Sequence, residues 1–208
     1  MGFSFGHRDS EREKRDVEAE KLARGIAISK AKPGSSSIPI VPISSTAAPS
    51  AKVKIQAIRD SSHPANGQYG LFAAQCLPAG SFILAYLGRV HAGASSSSES
   101  DYDLWLDKEA DVAVDAAREG NEGRFVNDYR GIGHRANAVF GPAYCERWGE
   151  LCVGLWVVGG KKVGKGIKKG EEILVSYGKG FWKERMGDVA DEYQDADANV
   201  NADADANG

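Results

Sequence analysis

The feature that most constrains the fold is a series of short, alternating apolar runs separated by glycine and proline, because such runs form half-buried strands rather than helices. The runs are VKIQAI (53–58), GLFAAQCLPAGSFILAYLGRV (70–90), YDLWLD (102–107), DVAVDA (111–116), ELCVGLWVV (150–158) and EEILVSYG (171–178). With 208 residues and 42% apolar content, the chain is long enough for one hydrophobic core. The pattern predicts a mainly β fold of several small sheets, with helix only in short pieces such as 116–120 and 180–186.

Both ends of the chain differ in composition from this central region. Residues 10–24 mix charges of both signs and predict a marginal, solvent-facing helix, and KPGSSSIPIVPISSTAAPS (32–50) is typical of a linker. The last 21 residues contain seven acidic side chains and no lysine or arginine, which predicts a disordered tail. We therefore expect a largely disordered extension at 1–50, a folded domain at 51–187 and an acidic tail at 188–208.

The cysteines, histidines and apolar runs bear on metal binding and compartment. Three cysteines without CxxC spacing predict neither a disulfide framework nor a tetrahedral zinc site, so a reducing compartment is the simpler interpretation. His91 and His134 lack ligand spacing, and no metal site is predicted. Because the first thirty residues lack an apolar signal region and no run is long enough to span a membrane, we expect the nucleus or cytoplasm.

Three separated segments are informative together. They are NGQYGLFAAQCLPAGSFILAYLG (66–88), NEGRFVNDYRGIGHRAN (121–137) and VGKGIKKGEEILVSYGKGFW (163–182). The second places the apolar pair Phe125 and Val126 inside an otherwise polar, glycine-rich stretch. In order and spacing, the three segments resemble the SET-domain family of protein lysine methyltransferases, whose pattern includes Y-x-G, R-F-x-N-H-S with a nearby Asn, and G-E-E-(L/I)-x-x-x-Y. The matching blocks are 86–88, 124–127 and 170–177.

The resemblance implies a compact SET domain without flanking zinc segments, in which the second segment is threaded through a loop made by the C-terminal segment. It implies an S-adenosylmethionine cofactor and transfer of its methyl group to the lysine amine of a protein or peptide, histone or non-histone. Tyr177 would be the catalytic tyrosine and Tyr86 would line the lysine channel, with Phe140 and Val175 as further channel residues. The implied cofactor-binding residues are Gly70, Arg124, Phe125, Asn127, Asp128, Asn137 and Trp182.

Other interpretations of these residues remain open. Tyr177 is compatible with an aromatic residue at a sheet edge, the two asparagines with turns or caps, and Phe140 and Trp182 with core packing. The family's N-H-S is Asn127-Asp128-Tyr129 here, and Gln68 replaces the first glycine of its G-x-G. These departures motivate the alternative of a catalytically inactive SET-fold interaction module.

The lysine-rich run KKVGKGIKKG (161–170) suggests a third possibility, an adaptor that contacts chromatin, nucleic acid or an acidic tail. The run lacks the interleaved aromatic residues of a nucleic-acid surface, which favours a solvated hairpin. We therefore do not expect nucleic acid as a direct substrate.

Overall fold

The computed structural model describes residues 38–92, 100–159 and 165–178, and they form four small β-sheets. The strands are β1 (Ile40–Val41), β2 (Val53–Ala57), β3 (Tyr69–Ala73), β4 (Phe82–Tyr86), β5 (Arg89–Ala92), β6 (Asp103–Asp107), β7 (Val112–Asp115), β8 (Asn127–Asp128), β9 (Ala138–Cys145), β10 (Glu150–Val157) and β11 (Leu174–Val175). Short 3-10 helices at Ile43–Ser45 and Glu122–Phe125 are the helical elements of these ranges. The predicted helical pieces at 10–24 and 180–186, the acidic tail and Trp182 lie outside the described residues.

The largest sheet has the order β1-β9-β10-β4 and separates two groups of buried side chains. One face contributes Leu84, Leu155 and Val157 to the main core, which also includes Leu71 from β3. The other face buries a smaller cluster that includes Phe82. β10 is buried over most of its length because it pairs on both sides, with β9 and with β4. This confirms the predicted mainly β architecture of several small sheets.

The sequence does not predict β9, although it is eight residues long. Gly141 and Pro142 lie in its middle and interrupt the alternation that indicates a strand. Proline has no N–H to donate to a neighbouring strand. It is tolerated at Pro142 because β1 pairs with this edge of β9 only at Tyr144 and Cys145. The pairing with β10, which the local sequence cannot show, makes this segment a strand.

The folded unit includes part of the predicted linker. Ile40 and Val41 form β1, and Val41 is almost fully buried in the smaller cluster. The side chain of Arg147 donates hydrogen bonds to Thr46 Oγ1 and Ile43 O at 3.0 and 3.3 Å. The linker interpretation is therefore wrong for Ile40 and Val41. These apolar residues lie between two prolines and pair with the edge of β9.

A second sheet, β5-β7-β6, is inserted between β4 and the segment at 121–137. It packs on the large sheet through Val114 and Ala116, which cluster with Tyr86 and Val153. The short helix predicted at 116–120 is absent from this described stretch, and a 3-10 helix begins instead at Glu122. The side chain of Asn121 accepts a hydrogen bond from Gly123 N and so caps that helix, which explains the shift.

The C-terminal strand β11 passes between the two arms of the loop at 127–137. On one side β11 pairs in parallel with β8, and Tyr129 N donates to Val175 O. On the other side Asn137 N donates to Leu174 O at 3.0 Å. The two segments interlock in a knot-like crossing, but the direction expected from the resemblance is wrong, because the C-terminal strand passes through the loop of the second segment rather than the reverse. Val126 is buried in the main core, and Phe125 packs against that core.

Cys145 and Cys152 form a disulfide across the β9–β10 hairpin. The register places Cys152 opposite Ala143, so the two sulfur-bearing residues are diagonal neighbours on one face of the sheet. Sequence spacing gives no indication of this pairing because it depends on the strand register. Cys76 is an exposed free thiol. The expectation of a reducing compartment rested on unpaired cysteines and loses that basis.

Candidate functional site

Tyr177 lies two residues after the end of β11, where the crossing with β8 fixes both its backbone and its hydroxyl group. Its hydroxyl donates a hydrogen bond to Val126 O at 2.7 Å, and its backbone N–H donates to Asp128 Oδ2 at 2.7 Å. The residue is 37% exposed, so its ring reaches the surface of the site. Because the hydroxyl proton is used by Val126, the phenol oxygen can accept but not donate a further hydrogen bond at this position.

Two tyrosines lie near Tyr177, and one of them packs on Phe140. Tyr86 is almost fully buried at the end of β4, packs edge to face on Phe140 at 5.5 Å, and donates its hydroxyl proton to Tyr102 O at 2.7 Å. The phenols of Tyr86 and Tyr102 are both close enough to interact electrostatically with Tyr177. The guanidinium of Arg124 lies over the Tyr102 ring at 4.6 Å. The structure thus brings the predicted Tyr177, Tyr86 and Phe140 together.

Burial raises the pKa of Tyr177 well above its ordinary value, and the carboxylate of Asp128 raises it further. Burial likewise raises the pKa of Tyr86, with Asp115 adding to the effect. Both phenols are therefore neutral at physiological pH. A neutral phenol whose proton is already donated offers oxygen lone pairs to an approaching amine.

The raised phenol pKa values predict how stability depends on pH. Tyrosines of the unfolded chain titrate near pH 10.0, whereas Tyr86 and Tyr177 stay protonated to higher pH in the folded state. Their contribution to stability is therefore fully present below about pH 10 and is lost as pH rises above it. Denaturant unfolding at a series of pH values should show that the free energy of unfolding declines above about pH 10. The decline should be shallower in Tyr86→Phe than in wild type. An equal decline in both proteins would contradict this assignment.

A second group of polar side chains lies around Gly70 in β3. Asn127 Nδ2 donates to Glu172 Oε1 at 2.8 Å and to Tyr69 O at 3.4 Å. The other carboxylate oxygen of Glu172 contacts His63 Nε2 at 3.0 Å. A Cβ atom on Gly70 would lie 2.5 Å from Glu172 Oε1 and 3.1 Å from Asn127 Nδ2, so only glycine leaves room for this arrangement. Gly70 and Asn127, both predicted cofactor residues, are therefore neighbours.

Asn137 binds the backbone of the C-terminal segment rather than pointing to open space. Its Nδ2 donates to Glu172 O and its Oδ1 accepts from Leu174 N, each at 2.8 Å. Together with its own N–H to Leu174 O, these bonds hold the strand that passes through the crossing. This role is neither a turn nor a cap, because the side chain bonds to the backbone of a segment more than thirty residues away.

Asp128, at the position of the family's histidine, is buried and uses both carboxylate oxygens within the protein. Arg130 donates to them from its backbone and its guanidinium, with the ion pair at 3.0 Å, and Tyr177 N donates to Oδ2. The guanidinium of Arg130 also lies over the Tyr129 ring at 4.9 Å. The substituted Asp128-Tyr129 pair is therefore built into the support of Tyr177.

The remaining predicted site residues lie at the edges of this site or in the core. Phe125 packs edge to face on Tyr69 at 6.2 Å and also against the main core. Val175, expected in the lysine channel, is 1% exposed and belongs to the main core, while its neighbour Ser176 lines a cleft.

Sequence reasoning did not identify His63, Glu172 or Tyr102 as site residues. Glu172 belongs to the GEE block, and its adjacency to Asn127 depends on the crossing. His63 is in the β2–β3 loop, and Tyr102 begins the YDLWLD run of the inserted sheet. His63 contacts Glu172 across more than a hundred residues of sequence, and Tyr102 interacts with Tyr177 across about seventy. Contacts between such distant residues leave no local signal in the sequence.

An open cleft of about 800 Å³ lies between β6, β9 and β10 beside the aromatic residues. Leu104, Trp105, Phe140, Val153 and Ser176 are among its lining residues. Among the described residues, no three or more His, Cys, Asp or Glu side chains are grouped as metal ligands. No helix in those ranges has the length and apolar character needed to cross a bilayer.

Solved structures with similarity to this chain include polycomb complexes from one fungus. A humanized mutant of the Chaetomium thermophilum Polycomb Repressive Complex 2 bound to the inhibitor GSK126 has 24% sequence identity and a TM-score of 0.46. The Chaetomium thermophilum polycomb repressive complex 2 crystal structure has 26% identity and a TM-score of 0.46. Each match covers 61% of this chain and 15% of the solved chain. No curated protein matches the sequence.

The sequence model of the SET domain matches residues 68–178, more than half of the 208 residues. This range begins just before β3, ends just after Tyr177, and includes the crossing of β8 with β11. The resemblance of the three sequence segments is thereby confirmed. The chain belongs to the SET domain family.

Proposed function

We propose that the protein is an S-adenosylmethionine-dependent protein lysine N-methyltransferase. The observation that carries the proposal is the hydrogen bond from the Tyr177 hydroxyl to Val126 O, because it places the candidate catalytic oxygen beside the residue that precedes Asn127. The Tyr177 oxygen, the candidate acceptor for the substrate amine, is thus bonded to Val126, and the candidate cofactor ligand Asn127 is the next residue. SET-domain proteins are generally lysine methyltransferases, which is the activity that this geometry suits.

The residues around Gly70 fit the amino-acid end of the proposed cofactor. Within the described part of the chain, Asn127 Oδ1 accepts no hydrogen bond and is available to an ammonium group. The carboxylate of Glu172 adds negative charge next to it. S-adenosylmethionine carries an ammonium group, which suits a site that favours positive charge. When bound, its sulfonium-activated methyl group would supply the reactive carbon. Arg124, Phe125, Asp128 and Trp182 remain proposed neighbours of the cofactor, whereas the Asn137 amide holds the crossing and is no longer proposed as a cofactor ligand.

The substrate amine must be neutral and aligned with the methyl carbon for its lone pair to attack. The bound cofactor would supply an electrophilic methyl carbon with its sulfur as the leaving group, and the methylated ammonium would release its proton to solvent. The oxygen of Tyr177, whose own proton is donated to Val126, would accept a hydrogen bond from the amine and orient it. Tyr86, Tyr102 and Phe140 would exclude water, and desolvation lowers the pKa of a lysine amine.

The cleft between β6, β9 and β10 is the proposed place for the polypeptide on either side of the substrate lysine. It reaches Phe140 and Ser176, and Ser176 is the neighbour of Tyr177 in sequence. A lysine-containing histone or non-histone protein in the nucleus or cytoplasm is the proposed partner. We propose no direct nucleic-acid substrate and no membrane contact.

Cofactor binding tests the proposal directly. Isothermal titration of the full chain with S-adenosylmethionine should give a dissociation constant in the micromolar range, and Asn127→Ala should weaken binding by about tenfold because one hydrogen bond to a charged group is lost. A labelled-methyl assay on candidate protein substrates should then show incorporation that depends on lysine. Absence of binding at millimolar cofactor would contradict the proposal.

The engagement of Asp128 and Asn137 with the protein's own backbone favours a second function, a SET-fold interaction module without methyl transfer. In that protein the two residues would serve only to hold the crossing, and the cleft would bind a partner without turnover. The module predicts no cofactor binding in the same titration, whereas the enzyme predicts micromolar binding.

A further inference from the structure

His63 has a defined tautomer in this structure. Ala65 N donates a hydrogen bond to His63 Nδ1 at 3.0 Å, so that nitrogen carries no proton. The proton of the neutral ring is therefore on Nε2, which lies 3.0 Å from Glu172 Oε2 and donates to it. His63 and Glu172 each have side chains only 10% exposed. A histidine held in this way is a directed hydrogen-bond donor.

The chain of hydrogen bonds continues from Glu172 to the amide of Asn127. Glu172 Oε1 accepts one proton of Asn127 Nδ2, and Tyr69 O accepts the other. A flipped amide would place Oδ1 against the carboxylate, which is repulsive. The orientation of the Asn127 amide is consequently fixed, and among the residues that the structure describes its Oδ1 has no hydrogen-bond donor.

Gly70 lies beside the hydrogen bond between Glu172 and Asn127 and leaves room for it. A Cβ atom at this position would lie 2.5 Å from Glu172 Oε1, which would push the carboxylate away from Asn127. Pro64, the neighbour of His63, contacts the turn at Gly131, where a Cβ would lie 2.7 Å from Pro64 Cγ. Packing against that turn holds the loop that carries His63 beside the crossing.

We propose that His63 is a positioning residue for the amino group of the cofactor, acting through Glu172 on Asn127. The assignment rests on the proposed function, since it names how that site selects one end of its ligand. His63 orients Glu172, Glu172 orients the Asn127 amide, and the amide presents a carbonyl oxygen to an ammonium group. His63 itself touches neither the cofactor nor the reacting atoms.

Two substitutions separate the roles of the two ring nitrogens. His63→Asn retains an acceptor for Ala65 N, as in an Asx-turn, but is too short to reach Glu172. His63→Gln places an amide donor near the position of Nε2 and so restores the bond to Glu172. His91→Ala is a matched control, because His91 forms the same kind of pair with Asp103 at 3.0 Å in the inserted sheet.

The experiment is isothermal titration of the four full-length proteins with S-adenosylhomocysteine and with its deaminated analogue, which lacks only the amino group. His63→Asn should weaken S-adenosylhomocysteine by about tenfold and leave the analogue within about twofold, because only the ammonium contact depends on Asn127. His63→Gln and His91→Ala should bind both ligands within about threefold of wild type.

Two outcomes would overturn the role of His63 while leaving the proposed function intact. One is unchanged binding of S-adenosylhomocysteine by His63→Asn. The other is an equal loss for both ligands, which indicates general loosening of the pocket. A different result, no binding of either ligand by wild type at millimolar concentration, would refute the proposed function and the positioning role with it.

Discussion

Tyr177→Phe is expected to reduce the rate of methyl transfer by about a hundredfold or more while leaving cofactor affinity within about threefold, since preorganised polar groups at a reacting centre have effects of this size. The substitution removes the oxygen that would orient the substrate amine and leaves the ring in place. It also removes the donor to Val126 O, so a modest loss of stability accompanies it. Single-turnover kinetics with labelled cofactor would measure the rate.

Tyr144→Phe provides the matched control, because Tyr144 is in β9 on the part of the strand that pairs with β1, away from the crossing. That variant should transfer methyl groups at the wild-type rate. A Tyr177→Phe protein as active as wild type would remove Tyr177 from the mechanism, whatever the control shows.

Asn137→Ala is expected to lower the free energy of unfolding by about 2 to 3 kcal/mol, because Glu172 O and Leu174 N each lose a hydrogen-bond partner inside the crossing. Urea unfolding followed by tryptophan fluorescence would measure the change.

The comparison with Asn127→Ala distinguishes the two asparagines. Asn127 binds the Glu172 side chain and Tyr69 O, so its loss should change stability by about 1 kcal/mol or less and act mainly on cofactor affinity. We expect folded Asn137→Ala to bind cofactor within about threefold of wild type. If Asn137→Ala kept full stability and lost cofactor binding, the assignment of Asn137 to the crossing would be wrong.

The sequence predicted the strands whose signals are local. β2, β6, β7 and β10 follow alternating or continuous apolar runs, and the structure places them within a residue or two of the prediction. The two strands predicted in 70–90 become β3, β4 and β5, and the strand predicted at 171–178 is reduced to the two residues of β11. The prediction failed at β1 and β9, where proline and glycine suggested loop or linker. For β1, pairing with a segment about a hundred residues away overrides that local preference, and for β9 the hairpin pairing with β10 does so.

The candidate site shows the same division. The motif blocks proposed Tyr177, Tyr86 and Asn127 as site residues, and in the structure the Tyr177 hydroxyl bonds to Val126 O, next to Asn127, with the Tyr86 phenol close by. They could not show that Asn137 binds backbone, that Val175 is in the core, or that Asp128 supports Tyr177. A side chain's partners depend on which distant segment packs beside it, and residue type does not encode that choice.

By itself, the sequence determined the mainly β class, the family and the order of the three motif blocks, since these follow from short-range periodicity and residue identity. Tertiary structure alone decided the passage of β11 through the 127–137 loop, the disulfide between Cys145 and Cys152, and the contact of His63 with Glu172. Each of these depends on register and crossing, which are set when apolar faces far apart in the chain are buried against one another.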